Sequence, residues 1–85
     1  MELIDKAKKY FMDTYLQLPV VLTKGSGAVV YDIEGKSYID FSSGVGVNSL
    51  GYGDKDWASA IMEQSKNLSH ISNIFYNAPS ILLAE

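Results

Sequence analysis

His70 is the only histidine in the chain, and serines stand near it at positions 69 and 72. A metal site takes three or four ligands. His70 has no second histidine or nearby carboxylate in sequence, so packing or hydrogen bonding at an interface is its expected role. Asp32, Glu34 and Asp40 lie close together in sequence. Paired-carboxylate chemistry needs two acids facing each other across a cleft, and an aspartate capping its own turn explains Asp32 more simply. Gly44, Gly46, Gly51 and Gly53 invite a phosphate-loop reading. Their spacing does not fit G-x-x-x-x-G-K-S/T, for which Lys55 is misplaced. Nor does it fit G-x-G-x-x-G, because Gly44-Val45-Gly46 is followed by Val47-Asn48-Ser49. A tight loop passing close to another surface is expected instead. Tyr15 lies between a helix and an extended run, and its position suits a ligand contact and a packing role equally. Residue types and spacing thus assign no catalytic residue, no metal ligand and no cofactor-binding residue.

Bulk composition narrows the function classes. The chain has 85 residues, 47% hydrophobic and 20% charged, with a formal net charge of −3. This is an ordinary globular composition at the size of one small domain. All seven basic residues are lysines. A nucleic-acid surface concentrates Lys and Arg on one face, so no nucleic acid is expected, and no guanidinium is available to clamp a carboxylate. Cysteine is absent, which excludes a disulfide scaffold. Apolar runs fall far short of the roughly 20 residues of a membrane span, and the N-terminus lacks a signal-peptide core. A cytoplasmic location without membrane contact is expected.

The elements that must position these residues follow from periodicity. Residues 2–12 are expected as an amphipathic helix, with Leu3, Ile4, Ala7, Tyr10 and Phe11 on one face. Residues 14–24 are expected to be extended, and Gly25-Ser26-Gly27 reads as a flexible joint. A hairpin is expected over 28–41, with Asp32-Ile33-Glu34-Gly35 as its turn. The glycine-rich loop covers 42–53. A helix over 55–67 follows Asp54 as N-cap, with Trp57, Ala58, Ile61, Met62, Ser65 and Leu68 as its buried stripe. Residues 69–76 are expected to be irregular. A third helix starts at about 79, capped by Asn77 or Ala78 with Pro79 in its first turn. It reaches Glu85 in mid-stripe, so the polypeptide is expected to continue. The fold class expected is α+β, residues 1–85 forming one segment.

Several ordered motifs carry a resemblance that composition cannot. They run Tyr15-x-x-x-Pro19, Lys24-Gly25-x-Gly27, Tyr31-Asp32-x-Glu34-Gly35-Lys36-x-Tyr38-x-Asp40-Phe41 and Ser43-Gly44-Val45-Gly46-Val47-Asn48. They continue with Leu50-Gly51, Ser69-His70-x-Ser72-Asn73 and Asn77-x-Pro79. The ordered set, over residues 13–85, resembles the start of fold-type-I, class-III aminotransferases of the acetylornithine type. The resemblance implies the small-domain segment of a pyridoxal-phosphate-dependent transferase, lying before the large domain. It implies a parent enzyme that moves the amino group of N-acetylornithine to 2-oxoglutarate in arginine biosynthesis, working as a homodimer or oligomer. In that family the coenzyme's lysine, phosphate loop, pyridine-pairing aspartate and carboxylate-binding arginine all follow the matched region. This chain alone is therefore expected neither to catalyse the reaction nor to bind pyridoxal phosphate stably; its partners are the remainder of the aminotransferase and an amino-acid substrate.

By the same resemblance, Tyr15, Ser43, Gly44 and Val45 belong beside the substrate. His70, Ser72 and Asn73 belong at the dimer interface near the partner's active site. Gly44 stands where ornithine-type relatives carry a tyrosine, which favours the longer acetylated donor. Two departures are visible: Gln17 replaces a common arginine, and Tyr52-Gly53-Asp54-Lys55 replaces a usual His-x-His-Pro. A different class of reading is a stand-alone interaction or dimerisation module derived from such an enzyme. A third is a degraded product without function.

Overall fold

The structure, a computed structural model, describes residues 2–85. The chain is α+β, with helices α1 (Glu2–Tyr10), α2 (Lys55–Asn67) and α3 (Ala78–Ala84) and strands β1 (Leu22–Ser26), β2 (Val29–Asp32) and β3 (Ser37–Ile39). It divides into two compact units, Met1–Asp54 and Lys55–Glu85.

In the first unit, α1 carries Glu2 and Asp5 in its first turn and Lys8 and Lys9 in its last, as the helix dipole favours. An exposed Lys6–Glu2 ion pair at 2.9 Å adds a few tenths of a kcal/mol, about 0.3–0.5. The helix stops at Tyr10, short of the residue 12 expected. The Phe11 N–H still bonds the Ala7 carbonyl at 2.8 Å, but the Met12 carbonyl is taken by the Thr14 N–H at 2.9 Å. Such local turns compete with helical bonding.

The sheet has three antiparallel strands in the order β1-β2-β3, one more than the expected hairpin. Gly25 and Ser26 are not a flexible joint: they pair with Val30 and Val29. Thr23 is the extra residue of a bulge, because the register shifts between Leu22 and Lys24. Directly opposed residues share a face. Gly25, Val30 and Tyr38 therefore line one face of the sheet. Val30, 7% exposed, is the buried hydrophobic residue of the described chain.

Asp32 closes the β2–β3 turn on its own backbone. Its Oδ1 accepts the N–H groups of Glu34 and Lys36, each at 2.9 Å, and its Oδ2 accepts the Tyr38 hydroxyl at 2.9 Å. Gly35 takes the left-handed position at φ +88°. Burial would push the Asp32 carboxyl up, but the hydrogen bonds from Lys36, Tyr38 and Glu34 outweigh it and hold the group below its usual range.

In the second unit, side chains finish α2: the Asn67 amide donates to the Glu63 carbonyl at 3.2 Å, and the Gln64 amide to the Leu68 carbonyl at 2.8 Å. Asn77 caps α3, its Oδ1 accepting the Ser80 N–H at 2.9 Å. The stripe expected to be buried on α2 is not: Trp57 is 58% exposed, and Ala58, Ile61, Met62, Ser65 and Leu68 are exposed too. Periodicity identifies the face that seeks cover, and residues 55–85 do not supply that cover. No helix among the described residues is long and apolar enough to cross a membrane.

Candidate functional site

The most unusual backbone in the chain lies just after β3. Ser43, Gly44, Val45 and Gly46 have φ of 46°, 61°, 61° and 85°, four consecutive residues in the left-handed region. The Ser42 carbonyl accepts the Val45 N–H at 2.9 Å and the Gly46 N–H at 3.4 Å, and the Ser43 carbonyl accepts the Asn48 N–H at 2.8 Å. This is a single left-handed turn. Two glycines adopt it freely, but Ser43 and Val45 do so at about 1–2 kcal/mol each, and a β-branched residue there is a true outlier. Val45 is 96% exposed.

Asp40 holds the root of that turn. Its Oδ1 accepts the Ser42 N–H at 2.9 Å, the Ser42 hydroxyl at 3.0 Å and the Ser43 N–H at 3.0 Å. Its Oδ2 accepts the Tyr52 hydroxyl at 2.6 Å, the short distance of a charge-assisted bond. The Tyr52 bond, helped by the Ser43 and Ser42 donors, lowers the Asp40 carboxyl to about 2. The same bond to Asp40 raises the Tyr52 phenol. With three donors on Oδ1 and the Tyr52 hydroxyl on Oδ2, Asp40 fastens the turn.

The predicted residues fall in three places. Ser43, Gly44 and Val45 are consecutive in the turn. Tyr15, 82% exposed, lines an open hollow of about 300 Å³ with Tyr10, Phe11, Met12, Thr14 and Gln17. That hollow contains none of residues 43–45, so the two groups do not share a pocket here. In the second unit, His70 and Asn73 line a hollow of about 320 Å³ with Gln64, Asn77 and Ser80. Ser72 is outside that lining; its carbonyl accepts the Phe75 N–H at 3.0 Å. No cluster of His, Asp and Glu among the described residues suits a metal.

Sequence reasoning missed Tyr52 and its link to Asp40. In sequence Asp40 reads as one of three neighbouring acids, although Asp40-Phe41-Ser42-Ser43 is a local signature for an aspartate bonding backbone two residues on. Nothing local marks Tyr52 as its partner.

Known proteins align with this arrangement. A profile of the class-III aminotransferases matches residues 10–85. The chain is 44% identical over 84 residues to the mitochondrial acetylornithine aminotransferase of Alnus glutinosa, covering 99% of this chain and 19% of that protein. It is 49% identical over 82 residues to the acetylornithine aminotransferase of Methanocaldococcus jannaschii, covering 96% and 21%. Among solved structures it is similar to the ornithine δ-aminotransferase of Plasmodium falciparum, with TM-score 0.92 and 31% identity over 95% of this chain and 21% of that one. It is also similar to the N-acetylornithine aminotransferase of Stenotrophomonas maltophilia, with TM-score 0.81 and 40% identity over 95% and 21%. The chain thus spans about a fifth of the length of the relatives it matches, and those relatives do not favour a stand-alone module. The family model over residues 10–85 and the identity to these relatives agree, and the chain belongs to the class-III aminotransferases.

Proposed function

We propose that this chain serves as the N-terminal fifth of an acetylornithine aminotransferase, forming part of the wall around the substrate. The whole enzyme would transfer the δ-amino group of N-acetylornithine to 2-oxoglutarate, in the cytoplasm, as a step of arginine biosynthesis. Ser43, Gly44, Val45 and Tyr15 would face the amino donor. His70, Ser72 and Asn73 would lie where a second copy meets this one, near that copy's active site, in a homodimer.

The observation that carries this reading is the strained turn at residues 43–46. Backbone held in a disfavoured region marks a place where shape matters beyond stability, and the family resemblance singles out the same residues as the substrate loop. Gly44 adds a steric argument. A Cβ there would already approach the Asn48 amide nitrogen at 3.1 Å. Glycine also suits its φ of +61°, and the missing side chain would leave space for the acetyl end of the donor.

In such an enzyme pyridoxal phosphate carries the amino group between donor and acceptor. The residues of this chain do not fit a site for it. Neither hollow contains a lysine. Lys9, Lys24 and Lys36 lie over the rings of Tyr10, Tyr31 and Tyr38 at 5.2, 5.4 and 5.3 Å, and the chain has no arginine. The coenzyme's grip would come from the rest of the enzyme, and this chain would contribute shape, donor selection and exclusion of water.

The test replaces the matching N-terminal part of the Methanocaldococcus jannaschii relative with this chain. Amino transfer from N-acetylornithine to 2-oxoglutarate is expected, with no transfer by this chain alone. Gly44→Tyr in that enzyme is expected to raise KM for N-acetylornithine at least about tenfold while sparing ornithine, because steric exclusion acts on one donor. Turnover by the 85-residue chain alone, or equal effects on both donors, would count against the proposal.

A further inference from the structure

Gly25 of β1 makes room for the Tyr52 ring, and Gly51 of the loop makes room for the Gly27 backbone. A Cβ on Gly25 would stand 2.6 Å from Tyr52 Cγ, and a Cβ on Gly51 would stand 2.8 Å from the Gly27 carbonyl oxygen. Gly27 and Tyr52 exchange both backbone bonds, at 2.9 and 2.8 Å. The Tyr52 ring is therefore seated against the sheet, and its backbone is tied there. From this seat its hydroxyl donates to Asp40 Oδ2 at 2.6 Å and accepts the Asn48 amide at 3.4 Å. The other oxygen of Asp40 takes Ser42 and Ser43. The contacts run without a gap from β1 through Tyr52 and Asp40 to the left-handed turn. Such a turn persists only when its surroundings over-determine it.

We propose that Tyr52 is a positioning residue that acts through Asp40 to hold the Ser43–Gly46 turn in its left-handed form and thereby sets affinity for the amino donor. The donor part of this inference rests on the reading of the turn as substrate-facing. Tyr52 touches neither donor nor coenzyme in this scheme. It fixes the carboxylate, and the carboxylate fixes the backbone that the donor meets.

The experiment uses the completed enzyme described above, with Tyr52→Phe, Asp40→Asn and the double variant. Tyr52→Phe keeps the ring on Gly25 and the backbone pair with Gly27, so β1 and β2 amides should exchange as before. Amides of residues 42–48 should exchange about tenfold faster. KM for N-acetylornithine should rise about tenfold with kcat within about twofold, the pattern of lost binding and not of lost chemistry. On the Asp40→Asn background, Tyr52→Phe should add nothing further. Unchanged exchange at 42–48 overturns the clamp. Additive effects of the two substitutions overturn its route through Asp40. Faster exchange with unchanged KM overturns its link to the donor. If the unsubstituted enzyme does not use N-acetylornithine at all, the functional reading fails by itself, and exchange still decides whether the clamp exists.

Discussion

Asp32 and Asp40 hold two turns of the same unit with nearly the same set of bonds, yet only one of those turns is strained. Each carboxylate gives one oxygen to backbone N–H groups of its turn and the other to a tyrosine hydroxyl. Asp32 closes a hairpin whose left-handed position is Gly35, and its tyrosine, Tyr38, comes from the adjoining strand. Asp40 holds a turn in which Ser43 and Val45 sit where side chains are disfavoured, and its tyrosine arrives from the far side of the loop. One carboxylate completes a turn the backbone already prefers; the other maintains one it does not. The first serves the fold, and the second gives the chain a shape that stability alone does not explain.

The comparison can be broken most severely through the glycines. Gly51→Ala places a Cβ 2.8 Å from the Gly27 carbonyl at a φ of +77°, so the Asp40 side should lose about 2–4 kcal/mol. Gly35→Ala meets nothing within 4 Å at φ +88° and should cost only the conformational penalty, about 1 kcal/mol. Native-state amide exchange of β1 and β2 measures both, and equal losses would remove the distinction. Val45→Gly sharpens it in the opposite direction. Relief of the left-handed strain, less the entropy of a glycine, should stabilise the turn by about 0.5–1 kcal/mol. A destabilised turn would mean that Val45 is not strained.

Acid gives the smallest effect and tests the two carboxylates side by side. Both are depressed from 3.8 in the folded chain, Asp40 to about 2. Their contributions are therefore complete above the ordinary value and fade as pH falls through the folded one. Asp40 should keep its charge down to about pH 2, and Asp32 should take up its proton below the ordinary carboxylate range. Carboxyl carbon resonances of the two residues report this, and an Asp40 that titrates at the ordinary carboxylate value would show that Tyr52 does not hold it.

Some of this was legible in the sequence because it is local. The α+β class, the turn closed by Asp32 and Gly35, and the cap at Asn77 all follow from residues within a few positions of one another. Pairing of Gly25 and Ser26 with β2 was not legible, since glycine-rich segments read as joints when no side chain shows a period. Positive φ at Ser43 and Val45 was not legible either, because residue type argues against it. The partner of Asp40 lies across a loop, and no spacing rule connects aspartate 40 with tyrosine 52. Trp57 was misplaced for a different reason: its stripe shows which side of α2 is apolar, and residues 55–85 leave that side open.

The bridge between Gly27 and Tyr52 also has a kinetic meaning. Everything from β2 through the glycine-rich loop lies between its two ends, so closing it costs more chain entropy than closing either hairpin of the sheet. A mutation on β1, well outside the loop, will register there as a change in how often the loop opens.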